Sequence, residues 1–154
     1  MYPLHGQAGA SKRHTLIGGN IFGTLYQNAR KAGGHLYQND MKLVVEGSAF
    51  VYPDVMLVWE PDDGSPHAET SPCLLVEVLS ESTASHDRFG KHGIYTTIPS
   101  LQTYLIVEQS ERRVYAYGRD GERWVLSDLQ GEGHIDLPCL GRRLSLDETY
   151  DGVV

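Results

Sequence analysis

Two carboxylates stand in apolar surroundings: Asp54 in VYPDVMLVW (51–59) and Glu77 in CLLVEVL (73–79). Both runs are rich in β-branched and large apolar residues, have strand length, and read as strands. Taking one unpaired carboxylate out of water costs several kcal/mol. Two carboxylates brought together also repel, so they need a cation or a shared proton between them. A divalent metal held by oxygen ligands is the simplest arrangement that meets both needs. Side chains alternate between the faces of a strand, so Tyr52, Asp54 and Met56 share one face, as do Leu75, Glu77 and Leu79. If the two strands are neighbours, Asp54 and Glu77 meet across the ladder, with the Val78 carbonyl close to the same metal. Pro53 places Asp54 at a strand start or bulge, where the ladder opens and leaves room for a metal and its waters. Glu77 alone reads equally well as the buried partner of an arginine. Two such acids in adjacent central strands favour the metal.

Lys91 is the candidate cation. On a helix it shares a face with Asp87 and Tyr95, at spacings of i, i+4 and i+8. One reading is an exposed Asp87–Lys91 pair, worth at most about 0.5 kcal/mol. The other turns that face back toward Glu77, where Lys91 would hold an attacking water or offset charge on a phosphorane. Spacing alone leaves both open. His14 reads first as a surface or capping histidine, with an approach to the site from the start of the first helix as the alternative. Ser80 and Ser82 read as turn and cap residues, because no Asp/His set accompanies them. Asp62, Asp63 and Glu69 lack the spacing of a calcium loop. Trp59, Trp124 and the nine tyrosines read as sheet packing rather than base-stacking platforms.

These residues need elements to position them. Residues 1–11 read as a flexible lead-in. Ile17, Ile21, Leu25 and Ala29 form an i, i+4 stripe on a helix over 13–31, which Gly33-Gly34 ends. Gly18, Gly19 and Gly23 weaken that helix and suggest close packing against a sheet. Strands are expected at 35–45, 51–59 and 73–79, the last one central and covered on both faces. The polar loop 60–72 can join antiparallel neighbours. A helix over 83–97, capped by Ser82 or Thr83, comes next and ends at Pro99. Strands 103–109, 113–118 and 123–128 form a meander with an Asp120-Gly121 turn, followed by a short strand near 134–137 and a helical turn near 145–150. The order predicts one α/β domain over 1–154, with a mixed central sheet flanked by helices.

The set Tyr52-Pro53-Asp54, Val76-Glu77-Val78, Ser80, Thr83 and Asp87-Arg88…Lys91…Tyr95 resembles a bacterial restriction-endonuclease family, a branch of the PD-(D/E)xK nuclease superfamily. The strands at Tyr104-Leu105-Ile106-Val107 and Val114-Tyr115, and Ala10-Ser11…His14 before the first helix, fit the same pattern. The resemblance covers nearly the whole chain and implies a restriction-endonuclease-like fold. It also implies a metal-dependent phosphodiesterase that attacks DNA in line with a metal-activated water. By that resemblance Asp54, Glu77 and the Val78 carbonyl hold Mg²⁺ (or Mn²⁺), and Lys91 is the active-site lysine. Two departures stand out. The superfamily signature has Lys two residues after the Glu, where this chain has Leu79, and the first helix supplies Asn20, Gln27 and Asn28 instead of an acid. Family members also carry an additional segment before the Ala-Ser-x-x-His stretch.

Composition sets outer bounds. The chain has 154 residues, 40% hydrophobic and 21% charged, as expected of a globular domain. No apolar run is long enough to span a bilayer and no leader opens the chain, so a cytoplasmic protein without membrane contact is expected. Cys73 and Cys139 fall in no motif and read as reduced thiols. A net charge of −7 argues against a broad electrostatic grip on nucleic acid. Local cations would have to serve instead, from among Lys12, Arg13, Arg112, Arg113, Arg142 and Arg143, although Arg112-Arg113 reads as a solvated turn. The expected function is Mg²⁺-dependent DNA cleavage by Asp54, Glu77 and Lys91, in a homodimer. The alternative is a nuclease-like binding or assembly module without activity.

Overall fold

The computed structural model describes residues 10–47, 50–60, 64–80 and 89–154. Helix α1 (Lys12–Lys31) starts where the Ser11 side chain accepts the His14 N–H at 3.1 Å, and it ends at Gly33, whose φ is +89°. Its Ile17, Ile21, Leu25 and Ala29 are fully buried, as the stripe predicts. The expected role of its glycines is corrected. A Cβ at Gly18, Gly19 or Gly23 would meet nothing within 4 Å, so these positions face open space. The close approach lies after the helix, where a Cβ on Gly34 would come within 3.0 Å of both Leu57 and Trp59.

The main sheet has six strands in the order β1-β4-β6-β7-β8-β9. These are β1 (His35–Gln38), β4 (Val55–Val58), β6 (Pro72–Val78), β7 (Thr103–Val107), β8 (Arg113–Asp120) and β9 (Arg123–Gln130). The β6–β7 pair is parallel and the other pairs are antiparallel, so the sheet is mixed. β6 lies inside it, with Leu74, Val76 and Val78 in one core cluster and Leu75, joined by Leu79 just past the strand, in the other. Helix α1 and the short α3 (Leu146–Tyr150) cover one face, and α2 (His92–Tyr95) packs on the other. The fold is therefore α/β with helices on both sides of a mixed sheet, as expected.

Several boundaries differ from the sequence reading. The stretch 35–45 is two strands in two sheets, because Asn39 adopts a positive φ of 56° and turns the chain after β1. Its second half, β2 (Lys42–Val44), lies between β3 (Phe50–Val51) and β5 (Ala68–Glu69) in a small separate sheet. The stretch 51–59 is likewise split at Pro53-Asp54 into β3 and β4. The loop 60–72 does join antiparallel neighbours, but it contributes β5 on the way. In the region expected as a helix over 83–97, the described part holds only the single turn of α2. Ser82, Thr83, Asp87 and Arg88 lie outside the described residues, as do Asp62 and Asp63 and positions 1–9 of the lead-in.

The tight turn between β8 and β9 places Gly121, at φ +64°, first of its two central residues, with Asp120 paired to Arg123 on the ladder. The short strand at 134–137 is β10 (His134–Leu137). It forms a hairpin with β11 (Arg142–Ser145), which the sequence reading missed. The expectation of reduced thiols is also corrected. Cys73 at the start of β6 and Cys139 after β10 form a disulfide, with Cα atoms 6.3 Å apart. No helix among the described residues is long and apolar enough to cross a membrane.

Candidate active site

Asp54 and Glu77 reach the same end of the sheet from two neighbouring strands. β4 and β6 pair Val55 with Val76, so the next step of the ladder sets Asp54 opposite Glu77. Asp54 sits just ahead of β4, where Pro53 interrupts the pairing. Its N–H reaches the Val76 carbonyl at 3.1 Å, and its Oδ2 accepts the Val78 N–H at 2.7 Å. The carboxylate thus takes a backbone donor that a continuing β4 would otherwise have used, which fixes its orientation. Glu77 is one residue from the end of β6. This is the carboxyl end of a parallel pair, where open α/β sheets form their binding crevices.

Lys91 and Tyr95 approach Glu77 from the far side. The Lys91 ammonium is 3.2 Å from Glu77 Oε1, and the Tyr95 hydroxyl donates to the same oxygen. Lys91, at the N-cap of α2, and Tyr95 therefore both turn back toward Glu77, while Asp87 lies outside the described residues. The Lys91 side chain is still 46% exposed and can meet an incoming ligand. Burial pushes the Glu77 carboxyl above the usual range, and Asp54 adds to this, while Lys91 and Tyr95 oppose it. Burial also drives the Tyr95 phenol far up, reinforced by the Glu77 charge. Tyr95 is therefore a fixed neutral donor to Glu77.

His14 lies in the site, correcting its first reading as a surface or capping residue. Its Nε2 is 3.4 Å from Asp54 Oδ1. Hydrogen bonding to Asp54 raises its pKa against the opposing effect of burial, and the Val78 backbone and the Glu77 charge act in the same direction. A relay that the sequence reading missed sets His14 there. Buried Gln109 donates to the Leu79 carbonyl at 2.7 Å, and its Oε1 accepts the Ser11 hydroxyl at 2.7 Å. Ser11 also caps α1, so one glutamine ties the first turn of that helix to the chain just past Glu77. The only sequence cue was a polar residue ending the apolar run TYLIVEQ.

Together these groups line a cavity of about 290 Å³, which Ser80, His92, Tyr104 and Ile106 help to close. Leu79, at the position where the sequence resemblance implies a lysine, is buried in the core. Among the described residues no cluster of three His, Cys, Asp or Glu side chains has metal-binding geometry. The oxygen donors gathered here are two carboxylates and the backbone. Glu69 lies elsewhere and accepts the Tyr37 hydroxyl at 2.7 Å, and burial first, then Glu69, pushes Tyr37 up to about 12. Asn20 donates to the carbonyls of Thr149 and Asp151, which ties α1 to the end of α3. Four of the candidate cations are engaged away from the site, in the pairs Arg112–Asp147, Arg113–Asp128, Arg142–Glu148 and Arg143–Asp136.

Two proteins of Synechocystis sp. are similar to this chain. "Uncharacterized protein sll1609" is 39% identical over 130 residues, covering 81% of this chain and 73% of its own. "Uncharacterized protein slr1290" is 32% identical over 155 residues, covering 97% and 80%. The crystal structure of "a putative nuclease belonging to DUF820" from Anabaena variabilis superposes with a TM-score of 0.76 at 12% identity, over 96% of this chain and 86% of that one. At that identity the likeness establishes a shared fold. Residues 4–147 match the Uma2 family, described as "Putative restriction endonuclease", and the chain belongs to that family.

Proposed function

We propose that this chain is a divalent-metal-dependent endonuclease that hydrolyses DNA phosphodiester bonds at the Asp54–Glu77 site. The observation that carries this reading is the convergence of two acids, one lysine and one histidine on a single cavity in a chain of this family. The donor set fits Mg²⁺ or Mn²⁺, because Asp54, Glu77 and the Val78 carbonyl offer only hard oxygen ligands. The raised pKa of Glu77 marks a buried charge that its neighbours leave under-compensated, which a cation would relieve. When bound, the metal supplies Lewis-acid activation of water and neutralises charge on the phosphate.

The chain's own residues do the rest. Lys91 sets a positive charge beside Glu77, where it offsets the negative charge that grows on the phosphoryl oxygens. This gives it the role of the signature lysine from a different element. Tyr95 holds Glu77 in one orientation, and the Val78 N–H does the same for Asp54. His14 stands with its Nε2 beside Asp54 Oδ1, where an imidazole can hold or pass a proton at the edge of the site. A homodimer is part of the proposal. The exposed strand β9 forms one edge of the main sheet and offers a surface for pairing, which sedimentation would check. The buried Leu79 at the signature lysine position and the net charge of −7 favour the second reading, a nuclease-like binding module without activity.

The test is cleavage of supercoiled plasmid and single-stranded circular DNA with Mg²⁺ or Mn²⁺, using wild type beside Glu77→Ala and Lys91→Ala. The proposal expects cutting by wild type alone. Equal, residual cutting by wild type and Glu77→Ala would select the inactive module instead.

A further inference from the structure

The sheet face that carries Asp54 and Glu77 becomes aromatic as it crosses to β7, β8 and β9. Tyr104 on β7 lines the cavity and pairs in register with Tyr117 on β8; their rings are parallel within 7° at 4.6 Å. His92 also lines the cavity, shares a hydrogen bond with Tyr104 and sits 4.6 Å from the Tyr117 ring. Trp124 on β9 meets Tyr104 edge-on at 6.0 Å, and Phe89 meets Tyr117 edge-on at 6.3 Å. Phe89 is 42% exposed, so the path of rings begins at the carboxylates and ends at solvent.

We infer that this path is a stacking platform for the bases of an unpaired DNA strand beside the scissile phosphate. The inference rests on the DNA-cleavage reading above and supplies its substrate class. Charge decides between modes of binding. A protein that grips duplex DNA neutralises phosphates with many lysines and arginines. Here the net charge is −7, and Arg112, Arg113, Arg142 and Arg143 are spent in ion pairs away from the site. Among the described residues the lysines and arginines near the cavity are few: Lys91 in its lining, Lys12 and Arg13 exposed on the first turn of α1, and Arg119 over the Trp124 ring. Stacking on ring faces needs no net charge and accepts any base, but it requires bases released from a duplex. The packing reading of these aromatics covers Tyr104, which is buried. It does not account for the solvent exposure of Phe89, which meets Tyr115 and Tyr117 edge-on at the outer end of the path.

The test is fluorescence anisotropy of a labelled oligothymidylate about twelve nucleotides long, and of a duplex of equal length, in EDTA so that no cleavage occurs. The expected result is tighter binding of the single strand, with a salt slope no steeper than about −2. Phe89→Leu keeps an apolar side chain but removes the ring. It should weaken single-strand binding about tenfold at an unchanged melting temperature, and Phe89→Tyr should restore it. If Phe89→Leu binds like wild type, if the duplex binds as tightly as the single strand, or if neither binds, the platform is overturned even where the protein cuts DNA. If the binding pattern holds in a protein that cuts nothing, the platform stands and the cleavage reading falls.

Discussion

The two faces of the main sheet are built from different chemistry. The face under α1 and α3 is mainly aliphatic: Ile, Leu, Val and Ala fill the buried cluster together with Tyr150, while Phe22, Tyr26 and Trp59 pack at its margin. Tyr150 is itself tied down, since its hydroxyl accepts the Arg113 N–H and its one proton lies within reach of both the Glu108 and Arg113 carbonyls, each at 2.8 Å. The opposite face holds Tyr95, Tyr104 and Tyr115 in its core and borders Asp54, Glu77, Lys91 and His92. Both faces belong to the same strands, because alternate residues of β4, β6 and β7 point to opposite sides. One side therefore supplies stability through close packing. The other carries buried polar groups, and the Glu77 carboxyl on it has a pKa displaced upward by desolvation. Proteins concentrate such locally unfavourable groups where they act on a ligand.

The sharpest way to separate the faces is to damage the aliphatic one. Leu25→Ala removes a fully buried side chain and should destabilise the protein by about 2–5 kcal/mol in urea unfolding. Cleavage per folded molecule should stay near wild type. Loss of activity in the folded fraction would show that the faces are not separable.

Lys91→Met does the reverse. The side chain is partly exposed and its ion pair is a single contact, so stability should move little, while cleavage should fall about 10²-fold through lost charge stabilisation. A variant that cuts normally would remove Lys91 from the site. Gln109→Leu probes the link that brings α1 to the active face. It frees Ser11 and leaves the Leu79 carbonyl without its donor, so cleavage should drop about tenfold through misplacement of His14. Single-turnover rates with enzyme in excess would show whether the loss is in the chemical step, as positioning requires.

The smallest effect lies back on the aliphatic face. Ser145 and Glu148 form a capping box at α3. The Ser145 N–H, then Arg142, hold the Glu148 carboxyl below its ordinary range. A depressed folded pKa stabilises the fold above the unfolded value, and that contribution is lost as pH falls through the folded one. Glu148→Gln should therefore cost about 1 kcal/mol near neutral pH and little in acid, read from chemical unfolding at several pH values. A difference that grows toward acid pH would contradict the assignment.

How much of this was readable in the chain follows from the range of each signal. The α1 stripe, the β8–β9 turn and the central, doubly covered β6 rest on local periodicity and turn chemistry, and all three are present. The meeting of Asp54 with Glu77 was legible because an acid in an apolar strand is rare and Pro53 marks where pairing stops. Asn39 did carry a local cue, since asparagine tolerates positive φ, but the apolar residues on both sides outweighed it. The Cys73–Cys139 bond, the Ser11–Gln109 relay and the approach of His14 to Asp54 depend on residues far apart in sequence. No window on the chain contains both partners.

The central claim is that the active face holds its two acids for a divalent cation and at a cost in stability. The most direct test is thermal unfolding of wild type and Glu77→Gln, each in EDTA and in Mn²⁺. In EDTA, removing the desolvated charge should raise the melting temperature of Glu77→Gln by about 2–4 °C over wild type, the shift of about 1 kcal/mol in a protein of this size. Mn²⁺ should then raise the wild type and leave Glu77→Gln nearly unchanged, closing or reversing the gap. A wild type that is the more stable protein in EDTA and gains nothing from Mn²⁺ would show that Glu77 is a structural ion-pair partner, and the account of a metal-dependent active face would be wrong.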